Sequence, residues 1–271
     1  MESTAETRMM SADEVRLMIR RGKLRAPTTG YADGFMQANL AILPKAYADD
    51  FHEFCLRNPK SCPLVGVGKP GNPGLEGLGA IDIRTDVPRY RVYRAGVHTE
   101  TVNDLLDLWR DDLVTFALGC SFSFESAILQ AGIEIRHISA NRNVPMYVTN
   151  IPTNAAGPFH GPMVVSMRAF KPADAIQAIL LSEQFPLAHG APVHIGDPSA
   201  IGIRNINRPE FGDPPVIEEG DILGFWACGV TPQMALQMAK PDFAITHEPG
   251  HMLVTDLPAN ATGSTDALCT A

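Results

Sequence analysis

Two distant segments of the chain carry nearly the same text, and this repeat limits the possible folds more than any other feature. Gly119-Cys120-Ser121-Phe122-Ser123-Phe124-Glu125-Ser126-Ala127-Ile128 aligns with Ala227-Cys228-Gly229-Val230-Thr231-Pro232-Gln233-Met234-Ala235-Leu236. With the cysteines superposed, small faces small, apolar faces apolar, Ser123 faces Thr231 and Glu125 faces Gln233. Each segment follows a strand-like apolar run, Leu113 to Leu118 and Ile222 to Ala227, and opens a helix-like one. Each therefore predicts a strand, a tight turn bearing a thiol, and a helix N-terminus. Such a terminus offers unpaired N–H groups and partial positive charge, which attract carboxylates. Open α/β sheets bind ligands at the carboxyl ends of strands. Two matched turns thus predict one site for a small acidic molecule between two related halves.

The chain has 271 residues, enough for one large domain or two intimate ones with an ample core. Its net charge of −8 and lack of basic runs exclude nucleic acid and anionic membrane surfaces as expected partners. No uncharged apolar stretch approaches the roughly 20 residues that span a bilayer. The five cysteines (55, 62, 120, 228 and 269) are odd in number and irregularly spaced, with no C-x-x-C, which argues against a disulfide framework or zinc ribbon. The N-terminus has no apolar leader, so the expected compartment is the reducing cytoplasm. Self-association into a homo-oligomer stays open.

Residues 1–10 are expected to be disordered. Ser11-Ala-Asp-Glu14 matches a capping box and predicts a helix as far as Gly22. Pro44 suits the start of a second helix running to about Arg57, with Tyr47, Phe51, Phe54 and Cys55 on one face. Tyr90 to Tyr93 reads as a strand and Asn103 to Arg110 as a helix. After Gly132 come a strand (Ile133 to Ile138), a loop-rich stretch, a strand (Met163 to Ala169) and a helix from Pro172 to Leu181. The predicted fold class is α/β. A layered αβα main domain (11–130 plus 191–256), built from two related strand–turn–helix halves, carries a smaller inserted two-layer α+β lobe (131–190) and a disordered tail (257–271). Residues 193–195, 222–227, 243–246 and 252–254 are expected to return to the main sheet.

Two motifs are decoys. Gly66-Val-Gly68-Lys-Pro-Gly71 matches the dinucleotide fingerprint, but Pro70 and Pro73 forbid the helix that the fingerprint must open. His247-Glu248-Pro249-Gly250-His251 matches the zincin pattern, yet Pro-Gly breaks the helix that would align both histidines. It reads as a strand end and a turn, so no metal and no cofactor is expected.

The thiol turns carry the stronger signal. A cysteine at a helix N-terminus has a lowered pKa, which makes Cys120 and Cys228 candidate bases or nucleophiles. Ser123 and Thr231 suit N-caps, and Pro232 a first helical position. Glu125 is placed either to complement the helix dipole or to transfer protons, with Gln233 as its uncharged counterpart. An arginine in an apolar strand needs a partner, so Arg168 faces either a protein or a substrate carboxylate. Arg142, flanked by Asn141 and Asn143, tilts towards ligand binding. His160, His194 with Asp197, and Arg204 are further candidates.

With these segments in hand the chain resembles the D-glutamate cyclase family, bacterial members of which carry a hydro-lyase label. The likeness runs from about Ser11 to Asp256. It rests on Gly119 to Glu125, Asn141-Arg-Asn-Val-Pro-Met-Tyr147, Gly161 to Arg168, Gly190 to Pro198, Phe225 to Gln233 and Ile245 to Asp256. The resemblance implies an αβα domain joined to a smaller two-layer one. It also implies a cofactor-independent lyase of amino-acid metabolism that removes water from a small amino or hydroxy acid; the specific case is D-glutamate closing to 5-oxo-D-proline. In that scheme Arg142, Arg168 and the two helix N-termini, with Ser121, Ser123, Asn141, Asn143, Gly229, Thr231 and Gln233, hold a dicarboxylate. Cys120, Cys228 and Glu125 move protons. Two alternatives remain: a two-cysteine amino-acid racemase using the same thiols, and a non-enzymatic binder of an acidic metabolite.

Overall fold

The computed structural model describes residues 5–262. The chain is mixed α/β, with two sheets. The first half runs β1 (Phe35–Pro44), α3 (Lys45–Arg57), β2 (Leu64–Val67), a β3–β4 hairpin (Tyr90–Arg94, Val97–Val102), β5 (Leu113–Gly119) and α4 (Phe122–Gln130). Before it stand α1 (Ala5–Met9) and α2 (Ala12–Arg20). The one-turn α5 (Arg136–Ser139) and β6 (Met146–Pro152) lead to the second half. That half runs β7 (Pro162–Phe170), α6 (Pro172–Glu183), β8 (His194–Ile195), β9 (Ile222–Ala227) and α7 (Val230–Ala239). Then come β10 (Ala244–His247) and β11 (Leu253–Pro258).

The first sheet has the order β2-β5-β1-β10-β3-β4, with β11 also on β1; the second has β6-β7-β9-β8. The halves match strand for strand. β2, β5 and β1 correspond to β8, β9 and β7, and each central strand runs straight into a helix, α3 or α6. The register agrees as well. Ala38 of β1 faces Gly119, the residue before Cys120, and Val165 of β7 faces Ala227, the residue before Cys228. Gln37, Asn39 and Ala41 therefore correspond to Val164, Ser166 and Arg168.

The helices cross over. α4 leaves the first sheet, yet its Phe124 and Ile128 pack with α6 and with Phe170 and Trp226 of the second. α7 leaves the second sheet, and its Ala235 and Leu236 pack with α3 and with Ala41, Leu43 and Phe116 of the first. The strands after them cross too: β6 follows α4 but pairs with β7, and β10 follows α7 but pairs with β1. The thiol turns lie at these crossings.

Several expectations hold. The Ser11–Glu14 capping box forms, with reciprocal bonds of 3.2 and 2.8 Å. Phe51 and Phe54 of α3 are buried, and no helix follows Gly71. Others need correction. β8 and β9 do not return to the main sheet, because β9 pairs with β7 along Ile222–Ala227. A repeated unit brings its own neighbouring strand, so matching text does not mean a shared sheet. Ile133 to Ile138 is not a strand; the chain closes one turn of α5 after Gly132 at φ +78°. Asn103 to Arg110 is not helical, because the Asp104 carboxylate takes the Leu106 N–H two residues on and favours a turn. Ala5–Met9 forms a helix, and β11 runs to Pro258, within segments expected to be loose. The remaining expectation for 1–4 and 263–271, and Cys269 with it, lies outside the described residues. Among the described residues no helix is long and apolar enough to cross a membrane.

Candidate active site

Both thiol turns are built alike, and both helices begin two residues earlier than expected. Ser121 and Gly229, not Ser123 and Thr231, occupy the N-cap positions, and neither caps with a side chain. Ser123 and Thr231 are the second helical residues, which frees their hydroxyls to reach the central strands. Ser123 Oγ accepts the Gln37 N–H at 3.4 Å, and Thr231 Oγ1 accepts that of Val164 at 3.0 Å. These are equivalent positions in the two halves. Pro232 falls third rather than first, where its missing N–H is still harmless.

Asn39 joins the turns. Its amide donates to the Gly119 carbonyl at 2.7 Å, and a Cβ on Gly229 would come within 2.2 Å of the same nitrogen. A Cβ on Gly119 would stand 1.4 Å from the Leu187 carbonyl oxygen. Backbone cannot yield that far, so Gly119→Ala is expected to give no soluble folded protein by circular dichroism. A variant melting like wild type would show that this junction tolerates displacement.

Both thiols are buried, each 8% exposed, and a charge on Cys228 would act directly on Cys120. Their pKa values rise rather than fall. Burial pushes Cys120 up to about 12, against the Phe122 N–H that favours its thiolate. Burial likewise pushes Cys228 to about 11, against the Val230 N–H and Arg168. The expected lowering at a helix N-terminus is overturned because that rule assumes solvent access, and these sulfurs have almost none. At neutral pH both are thiols.

Arg168 and Glu125 face each other at the centre. The guanidinium Nε donates to Glu125 Oε1 at 2.9 Å, Nη1 to Ser166 Oγ at 3.0 Å and Nη2 to Ser121 Oγ at 3.1 Å, with a second bond from Nη2 to Glu125. The cation lies 4.9 Å from the Phe124 ring centroid and 5.4 Å from that of Trp226. His137 Nε2 is 3.4 Å from the same Glu125 oxygen. Burial alone would raise Glu125; the Arg168 charge, with His137, overcomes it and holds the carboxyl at about 2. Glu125 is thus fixed as a carboxylate, and Arg168 is spent on protein partners rather than free to clamp a substrate.

A small crevice of about 60 Å³ reaches Glu125 between Tyr31, Asp33 and Phe35 on one wall and Ser123 and Ser126 on the other. The 28–35 loop behind it is stapled by Gln37, which donates to the Thr28 and Tyr31 carbonyls, and holds Ala32 at φ +50°. Non-glycine residues are uncommon there.

Not every candidate comes to this centre. Asn141, Arg142 and Asn143 are exposed; Arg142 donates to the Pro214 carbonyl, and the Asn143 N–H to Asp213. Only Val144 of that loop packs with Cys228. His194 Nε2 lies 2.7 Å from the Asp197 carbonyl oxygen, and Arg204 and His160 are exposed. His247 is structural: its Nδ1 accepts the Leu40 N–H where β1 passes from β10 to β11. Among the described residues no group of three or more His, Cys, Asp or Glu is arranged to hold a metal.

A family model described as D-glutamate cyclase matches residues 114–256, which include both thiol turns, His137 and Arg168. The chain belongs to the D-glutamate cyclase family. A protein of Bordetella petrii named "Putative hydro-lyase" is 58% identical over 91% of this chain and 94% of its own length. Similarly named proteins of Burkholderia multivorans (56%; 92% of this chain, 96% of theirs) and a Bradyrhizobium species (55%; 94% of each) are alike over comparable spans. A solved nitrogen repressor-like protein from Methanococcus jannaschii gives a TM-score of 0.39 at 10% identity, over 86% of this chain and 91% of that one, too low to carry any argument.

The family match begins after β1, so Gln37 and Asn39 fall outside it, although they complete the site. Sequence reasoning missed both and His137. Two amides inside the apolar run Phe35–Pro44 were the available signal: both are buried, on the face turned to the thiols. His137 gave none, because its segment reads as a strand.

Proposed function

We propose that the chain is a cytoplasmic hydro-lyase acting on a small acidic amino or hydroxy acid, with D-glutamate closing to 5-oxo-D-proline as the specific case. One observation carries the reading: two neutral thiols, presented by matching turns that both pack against Asn39, stand beside a carboxylate locked in its ionised form. The chemistry asks for such a pair. As the α-nitrogen attacks the γ-carboxyl carbon, the ammonium sheds two protons and the departing oxygen takes two, leaving as water. A thiol that protonates the oxygen becomes a thiolate, which then recovers a proton from the nitrogen. Two thiols, each acting once, balance the reaction without a redox cofactor or ATP. The N–H groups opening α4 and α7 suit the oxyanion of the tetrahedral intermediate. Glu125, held at about 2, sets the local field and orients Arg168 rather than moving protons.

The test is incubation with D- and L-amino and hydroxy dicarboxylates, followed by mass spectrometry for the loss of one water. D-glutamate is expected to give 5-oxo-D-proline; no dehydrated product from any member would end the reading. The internal two-fold relation of the thiols favours one alternative, racemisation by removal of the α-proton on one side and its return on the other. Solvent deuterium separates the two, since racemisation labels the α-carbon and lactam closure does not require it.

A further inference from the structure

The two halves agree in backbone, thiol and hydroxyl, and part company at the fifth residue after each cysteine. In the first half this is Glu125, satisfied by Arg168 and His137. In the second it is Gln233, which is 6% exposed and whose side-chain nitrogen has no hydrogen-bond partner among the described residues. A buried amide without a partner is costly, so native folds rarely keep one idle.

The crossing of the helices, with the equivalence of the two halves, points to the position opposite Gln233. α4 lies over the second sheet, and Glu125 meets Arg168 of β7. α7 lies over the first sheet, where the position equivalent to Arg168 is Ala41 of β1. On one side a guanidinium fills the space and neutralises the acid. On the other stands a methyl group, with an amide that has nothing to bond.

From this asymmetry we infer that Gln233 is the side chain that reads the substrate's carboxylate, donating its amide N–H to one carboxylate oxygen on the Cys228 side of the site. The inference deepens the proposed function and rests on it for the reaction, but not for binding. Glu125 and Arg168 form the fixed wall, and Gln233 the binding side. The ligand class is a small carboxylate short enough to lie between the turns, such as a five-carbon dicarboxylate.

The experiment measures glutarate binding by calorimetry, because glutarate has no amine and cannot cyclise, together with D-glutamate kinetics and thermal melting for wild type, Gln233→Met and Gln233→Glu. Methionine keeps the volume and removes the unpaired amide. Gln233→Met is expected to weaken glutarate about tenfold or more and to raise KM while kcat changes little, with a melting temperature equal to wild type or higher. Gln233→Glu is expected to abolish glutarate binding by repulsion. Unchanged glutarate affinity and KM in Gln233→Met would overturn the inference, as would a lowered melting temperature with KM intact, or no glutarate binding by wild type. If wild type binds glutarate, Gln233→Met does not, and D-glutamate is never turned over, Gln233 keeps its role and the proposed reaction falls.

Discussion

Replacing Arg168 with methionine is expected to lower the melting temperature by on the order of 10 °C, and a second change, Glu125→Gln, is expected to restore much of it. Arg168 is 3% exposed, and its guanidinium satisfies the carboxylate of Glu125, a residue equally buried. Removing one partner of a buried pair leaves the other charge uncompensated, at about 3–5 kcal/mol. For a chain of this size each kcal/mol is worth about 2–4 °C. His137 would remain beside the acid. The pH dependence should change sign. In the wild type Glu125 has its folded pKa depressed to about 2. Its contribution is therefore fully present above the unfolded value, near 4.3, and is lost as pH falls towards 2. Without Arg168, burial raises the carboxyl, and mild acid should stabilise the variant instead. Thermal melts across pH about 4 to 7 decide this; parallel curves for the two proteins would mean that the pair is not what holds the centre.

Exchanging Cys120 or Cys228 for serine is expected to reduce turnover of D-glutamate by about 10²- to 10⁴-fold, the range of positioned proton transfer. The double variant should be little worse than the weaker single, because the thiols act as a unit. With both needed protonated, the rate should stay level through neutrality and fall as pH nears about 11, the lower of the two values. Stability carries the same mark. A thiol whose folded pKa is raised helps the fold fully below the unfolded value, about 8.5, and loses that help as pH rises through 11 to 12. Melts near pH 8 and pH 10.5 should therefore show a steeper alkaline decline for wild type than for the double serine variant. Equal declines would mean that the sulfurs are wetter than the structure draws them.

The repeat was legible because cysteine, hydroxyl and Glu/Gln recur at fixed offsets and the flanking apolar runs agree. Its placement was not. Spacing does not reveal which strand a unit pairs with, so β9 is expected in the main sheet and found in the second, and β1, buried along nearly its whole length, has no solvent face whose alternation would mark it as a strand. The need for a partner at Arg168 followed from the cost of a bare buried charge, yet Glu125 was assigned a different task, and only the fold makes them each other's partner. The thiols depart from the local rule about helix termini because of a global fact, the loss of solvent. Asn141 to Asn143 looked like ligand-binding amides, but their neighbours Val144 and Met146 are the part of that run that turns inward.

The interchange of α4 and α7 between the sheets has a mechanical consequence. Two-lobed enzymes commonly admit a ligand by swinging their lobes about a hinge. Here such a swing would drag Phe124 and Ile128 out of one interior and Ala235 and Leu236 out of the other, as if pulling apart clasped hands. The crevice that reaches Glu125 opens instead beside the Gln37-stapled segment around Ala32, which packs with α2 and β11 and belongs to neither clasped interior.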